Sequence, residues 1–263
     1  MSRSERIRLS AVVFVVLFTQ LLVYPGVEKL VAALGAAPTI DAGTAFLAVQ
    51  LAAFVLFSTV WGAVSDRAGR RTPELLVPYV FGFTDRFTAG FFGLVGTFYL
   101  GETFDLDPAA IGLVLACFFA PFALLQYPLG ALSDRVGRVV PVVAGSVGYG
   151  LAIVGVGLAP TAAVAAAGMV VVGILGALVA PATMALVTDM AAAGERGAAM
   201  GGFNVFGSLG FLGGILVGGA VADRLGFLAA FLVAGGLEAV VVVAALPVLV
   251  RVVPDPTAIF GGA

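Results

Sequence analysis

Five ionisable residues lie inside the long apolar runs of this 263-residue chain: Asp85 with Arg86, Glu28 with Lys29, and Glu238. A charged group in hydrocarbon costs about 2.5–3.5 kcal/mol on insertion scales, so each is a functional candidate by default. Asp85 is the candidate for carrying a proton or meeting a cationic substrate. Arg86 is the candidate for meeting an anionic group or for regulating Asp85. Neighbours on a helix are ~100° apart, so the two side chains are expected to point to different surroundings. The alternative is a purely structural pair, with Arg86 reaching for the membrane edge. Glu238 sits near the middle of its run, where a carboxyl is expected to be neutral or partnered, and a structural hydrogen bond is the favoured reading. Glu28 and Lys29 follow Tyr24-Pro25-Gly26, a kink signal, close enough to the end of their run to reach water. Gln20 and Tyr24 in that run, and Thr183 and Met184 further on, are milder candidates for lining a cavity.

Much chemistry is excluded by what is missing. The chain has no histidine, so Ser-His-Asp triads, His-based zinc sites and His-ligated haem are ruled out. The single cysteine, Cys117, allows neither an internal disulfide nor a paired-cysteine metal site. No phosphate-binding loop is present, which argues against ATP as the energy source. A net charge of −2 argues against nucleic acid as a partner. No enzyme active site, metal or cofactor is expected.

The elements that position these residues are membrane helices. Of the residues, 61% are hydrophobic and 11% charged, far from the ~25% charged of a soluble domain. A bilayer core needs ~20 apolar residues per helix. Eight runs qualify, at roughly 11–34, 43–64, 77–100, 109–131, 139–158, 161–187, 200–221 and 226–250. None shows the alternation of a barrel strand. The first is too long for the core of a secretory signal and is expected to be retained. With the N-terminus inside, the inner segments hold Arg3, Arg6, Arg8, Arg67, Arg70, Arg71, Arg135, Arg138, Arg196 and Arg251, and the outer loops only Arg224. Asp41, Glu102, Asp105, Asp107 and Asp223 fall outside. The positive-inside rule therefore predicts both termini on the cytoplasmic side.

One segment occurs twice. Residues 61–71 read Trp-Gly-Ala-Val-Ser-Asp-Arg-Ala-Gly-Arg-Arg, and residues 129–139 read Leu-Gly-Ala-Leu-Ser-Asp-Arg-Val-Gly-Arg-Val. Phe54 and Leu56 answer Phe122 and Leu124 at the same offset upstream. Each copy follows an even-numbered run. Gly62 and Gly130 permit close helix approach, and Gly69 and Gly137 permit reversal. Asp66 and Asp134 sit where a helix ends and can pair with arginine. A plain topology-setting turn would not need this spacing.

The repeated segment resembles the signature loop of the major facilitator superfamily (MFS), G-x-L-S/A-D-R-x-G-R-R. That family is built of six-helix halves that rock about a midplane site. The resemblance implies a conformational latch made by Gly62, Asp66, Arg67, Gly69, Arg70 and Arg71 in one copy and Gly130, Asp134, Arg135, Gly137 and Arg138 in the other. Val64 and Val139 depart mildly from the pattern. The run from Gly210 through Gly214 to Gly218 and Gly219 looks like the family's G-x-x-x-G-P-x-x-G-G, associated with proton-exchanging exporters, with Ile215 in place of proline. The bland reading is small-residue helix packing. Val172 stands where the family's R-x-x-x-G pattern has arginine, as in its C-terminal halves.

The implied organisation is an all-α multi-helix transporter bundle in a shortened form, with helices three to six of the first half absent. Residues 1–72 would be a partial N-terminal half, 73–251 a six-helix half and 252–263 a short cytoplasmic tail. The composition is similar to that of haloarchaeal members. The implied function is secondary active transport of a small molecule across the cytoplasmic membrane by alternating access, with proton-coupled export (an antiporter) as one mode. Three alternatives stay open: a non-transporting truncated protein, a partner subunit of a full-length transporter, and a homodimer supplying both halves.

Overall fold

The computed structural model describes residues 75–252 except residue 193, together with residues 32, 33, 35 and 45. The first two predicted membrane runs, and the first copy of the repeated segment, lie outside the described residues.

Six helical rods make up the described bundle. The first is α1 (Leu76–Phe91), continued through a π-helical turn (Phe92–Gly96) into α2 (Thr97–Phe104). The others are α3 (Pro108–Val136), α4 (Val139–Gly157), α5 (Ala162–Met190), α6 (Arg196–Leu225) and α7 (Phe227–Val252). They fall on the last six predicted runs. The helices α3 to α7 are each long and apolar enough to cross a membrane. The first rod is comparably long, with the π-turn inside it.

Local chemistry explains where the rods stop. Asp107 caps α3, its carboxylate accepting from the amides of Ala109 (2.8 Å) and Ala110 (2.9 Å), with Pro108 at the first helical position. The Thr161 hydroxyl caps α5. Tight turns follow α3 at Gly137 (φ 86°) and α6 at Gly226 (φ 84°), a conformation that glycine adopts without penalty. One end carries Arg135, Arg138 and Arg196 together with Asp134, Asp189 and Glu195; the other carries Glu102, Asp105, Asp107 and Asp223 together with Arg224. We call these the arginine end and the aspartate end.

The largest seam joins α1 to α6, and the next joins α3 to α5; α4 packs on both α5 and α7. Exchanging the first three rods for the last three maps α1–α6 onto α5–α3, and α4–α5 onto α7–α1. The bundle is thus an approximate three-plus-three repeat. Glycines set the closest approach in the α1–α6 seam. A Cβ on Gly210 would overlap the Phe83 carbonyl, on Gly214 the Phe87 carbonyl, and on Gly90 the Phe211 carbonyl. Backbone lies on backbone there, as small residues allow.

The core above this seam is aromatic. Phe91 and Phe92 pack edge-on against Phe231, with ring centroids 4.9 and 6.0 Å apart. Phe92 stacks on Phe118. Tyr99 joins them and donates to the Val156 carbonyl at 2.9 Å. Large apolar side chains such as Leu113, Leu124, Leu151, Val240 and Val243 remain on the outside. An outer surface of this kind suits lipid or another apolar partner rather than water.

Candidate functional site

The interior polar site is assembled by three rods. Asp85 and Arg86 stand on α1, Ser146 and Tyr149 on α4, and Glu238 on α7. At 1.5 Å per residue, Asp85 and Tyr149 are ~14–15 Å from the arginine end and Glu238 is ~17 Å from the aspartate end. All three therefore sit near mid-depth. A glycine crossing enforces the meeting of α4 and α7. A Cβ on Gly150 would strike the Gly235 carbonyl and come within 3.1 Å of the Glu238 Cβ, and a Cβ on Gly235 would meet the Gly150 carbonyl. Ser146 is about one turn before Gly150, and Glu238 about one turn after Gly235. The crossing therefore turns both toward the same interior, which α1 closes with Thr84, Asp85 and Thr88.

Asp85 and Arg86 do separate as helix geometry requires. Asp85 is buried, while Arg86 has 47% of its side chain exposed. The Arg86 Nε stays 3.8 Å from the Asp85 carboxylate, and its stem lies beside Gly207 of α6. Glu238 is only 1% exposed, with Thr84 and Ser146 beside its carboxyl and Asp85 the nearest other acid. Tyr149 is equally buried, with its hydroxyl beside Thr88. These neighbours fall short of hydrogen-bond geometry. Glu238 Oε1, Ser146 Oγ and Thr88 Oγ1 are all fully buried with no hydrogen-bond partner. The structural hydrogen bond expected for Glu238 is thus not made by Oε1. Thr84, by contrast, donates to the Phe81 carbonyl of its own helix.

The second copy of the repeated segment forms a compact ionic knot at the arginine end. Ser133 donates to the Gly130 carbonyl (2.8 Å) and accepts from Arg138 (3.0 Å). Arg138 also pairs with Asp134 one turn away and, through Nε, with Asp189 of α5 at 3.2 Å. Burial works against the Arg138 charge, but its hydrogen bonds to Asp134 and Asp189 outweigh burial and hold it still more firmly protonated. Arg135 is exposed beside this knot. Gly130 lies against Pro181 of α5, and a cleft of about 330 Å³ opens between Tyr127, Asp134, Arg138 and Pro181.

The remaining candidates scatter. Thr183 is buried and its hydroxyl donates to the Val179 carbonyl of its own helix (2.9 Å), whereas Met184 faces outward. The two are therefore not brought together. Gly210 and Gly214 face α1 backbone, Gly218 faces the Phe91 ring, and Gly219 is buried. Gln20, Tyr24, Gly62, Asp66, Arg67, Gly69, Arg70 and Arg71 lie outside the described residues. Sequence reading missed Asp189, Ser146 and Tyr149. Asp189 is 51 residues from Arg138, and no local pattern joins them. The glycines Gly150 and Gly235, each one turn from a polar residue, were the available signal for Ser146 and Glu238.

No curated protein matches the chain. The family profile described as Major Facilitator Superfamily matches residues 78–261, all but the first few residues of the six-rod bundle and the segment beyond it. With apolar rods of membrane-spanning length, the chain is a multi-pass membrane protein, and it belongs to the Major Facilitator Superfamily of membrane transporters.

Proposed function

We propose that the chain is a secondary active transporter that moves a small molecule across the cytoplasmic membrane by alternating access, with proton-coupled export as its mode. The observation that carries this reading is the Asp85–Arg86 pair. An acid turned into the bundle and a guanidinium turned out of it, at mid-depth on a rod with no other charge at that depth, costs too much to keep for packing alone. Proton movement through Asp85 gives that cost a use, and Arg86 would regulate the acid as substrate arrives.

In this reading the arginine end is cytoplasmic, as the distribution of arginines supports. The Arg138–Asp134–Asp189 knot is the latch of the described half, with Asp66, Arg67, Arg70 and Arg71 as its counterpart in the first copy. Residues 1–72 act as the partial first half and 73–251 as the second.

The test is flux by the purified chain in proteoliposomes. A pH gradient is imposed and internal pH followed while lipophilic cations, sugars and organic acids are added, with Asp85→Asn alongside. Substrate-dependent proton movement that the substitution reduces at least tenfold supports the proposal. Movement that Asp85→Asn leaves unchanged removes Asp85 from the mechanism.

A further inference from the structure

The charges inside the bundle do not balance among the described residues. Among the described residues, Asp85, Arg86 and Glu238 are the acidic or basic side chains placed well inside a rod. On α3, α5 and α6 such residues (Asp134, Arg135, Asp189, Arg196, Asp223 and Arg224) stand near the helix ends. Two carboxyls therefore share one guanidinium. The Arg86 charge is taken up by Asp85, to which it is paired. Among the described residues no cation is left for Glu238, whose Oε1 is sealed from solvent and has no hydrogen-bond partner. An uncompensated carboxylate in such a place costs several kcal/mol at least. Two buried hydroxyls, Ser146 Oγ and Thr88 Oγ1, are unpartnered in the same pocket of side chains.

We propose that Glu238, together with Asp85, is the transporter's proton-binding site: one exchangeable proton is held between α1 and α7, resting on Glu238 and reached through Asp85. The step is plain acid–base chemistry. A carboxylate takes up one proton to give the neutral acid and returns it as the carboxylate, and no bond to substrate forms. Asp85 is the access side because its side chain keeps 11% exposure, whereas Glu238 is sealed. Thr84 and Ser146 flank the Glu238 carboxyl, and both can turn a hydroxyl toward it when it ionises. The groups facing it are Thr84 and Asp85 from α1 and Ser146 and Tyr149 from α4; Arg86 turns outward beside Asp85 and Gly207, and among the described residues α6 brings no charged side chain to this depth. The site is therefore held by three rods, α1, α4 and α7. A proton can load a carboxyl this closely buried without parting α1, α4 and α7.

What the proton does rests on the transport reading above, but its binding does not, and the experiment separates the two. Infrared difference spectroscopy of the purified full chain, titrated in H2O and D2O, reads the C=O stretch of protonated carboxyls directly and needs no substrate. The expected result is a buried-acid band that shifts on deuteration and titrates with pH. Glu238→Gln should abolish it, and Asp85→Asn should move its titration. Ser146→Ala should displace the band frequency without removing it, which keeps the assignment testable if Glu238→Gln fails to fold. A band unaffected by Glu238→Gln and Ser146→Ala would overturn the proposal, as would one that never exchanges or titrates. If the band behaves as expected while proteoliposomes show no flux, the proton site stands and the transport reading falls.

Discussion

The mid-depth cluster and the arginine-end knot use nearly the same parts: carboxylates, an arginine and a serine hydroxyl. They are wired in opposite ways. At the knot, where Asp134 and Asp189 are more than half exposed, Ser133, Asp134, Arg138 and Asp189 each have a partner. At mid-depth, Ser146, Thr88 and Glu238 are each at most 1% exposed and leave polar atoms bare. Stability alone would arrange this the other way round. Water forgives an unpaired group at the surface, and hydrocarbon does not. The knot has the form of a clasp that opens at small cost. The cluster has the form of a site kept incomplete so that something can be added to it.

Several substitutions would break or sharpen this contrast. The largest effect is expected from Gly235→Leu, because the new side chain would strike the Gly150 carbonyl and part α4 from α7. Overpacking of this kind costs about 1–3 kcal/mol or more, and size-exclusion chromatography in mild detergent should show loss of the monodisperse protein. An unchanged profile would mean that the crossing does not hold the cluster together. Next comes Asp85→Asn, with the tenfold or greater loss of coupled flux described above and little change in thermal midpoint. At the knot, Arg138→Ala should cost about 1 kcal/mol, since its partners are solvent-exposed. Raising salt should shrink that difference by screening; a salt-independent loss would show that packing of the arginine stem matters more than its charge. The smallest and sharpest test pairs two serines. Ser133→Ala removes a hydroxyl that both donates and accepts, and should destabilise by roughly 1 kcal/mol. Ser146→Ala removes a bare buried hydroxyl and should be neutral or slightly stabilising. Equal effects measured by thermal unfolding would erase the distinction between the two regions.

What could be read from residues alone follows from the range of the physics involved. Long unbroken apolar runs specify rods, since a helix satisfies its backbone within one segment whereas a barrel strand would alternate, and the last six runs coincide with rods. The separation of Asp85 from Arg86 is helix geometry and needs no fold. The reversal at Gly137 is local too. Asp189 was invisible because its link to Arg138 exists only once α5 is laid against the α3–α4 turn. The bare Oε1 of Glu238 was invisible for the same reason: whether a buried group is satisfied depends on three rods, and its own helix says nothing about it. Thr183 shows the converse, a hydroxyl of apparent functional promise whose proton goes to its own backbone.

The π-turn at Phe92–Gly96 acts on the first rod as a phase slip. One residue more than an α-helix would hold over the same rise turns everything beyond it by ~100°. Below the slip, the rod lays its carbonyls on the glycines of α6; above it, Tyr99 reaches across to α4. Counting by threes and fours from Asp85 therefore stops being valid at Phe92. Deleting one residue within the turn would bring the two halves of the rod back into step. It would then face one of them toward the wrong neighbours.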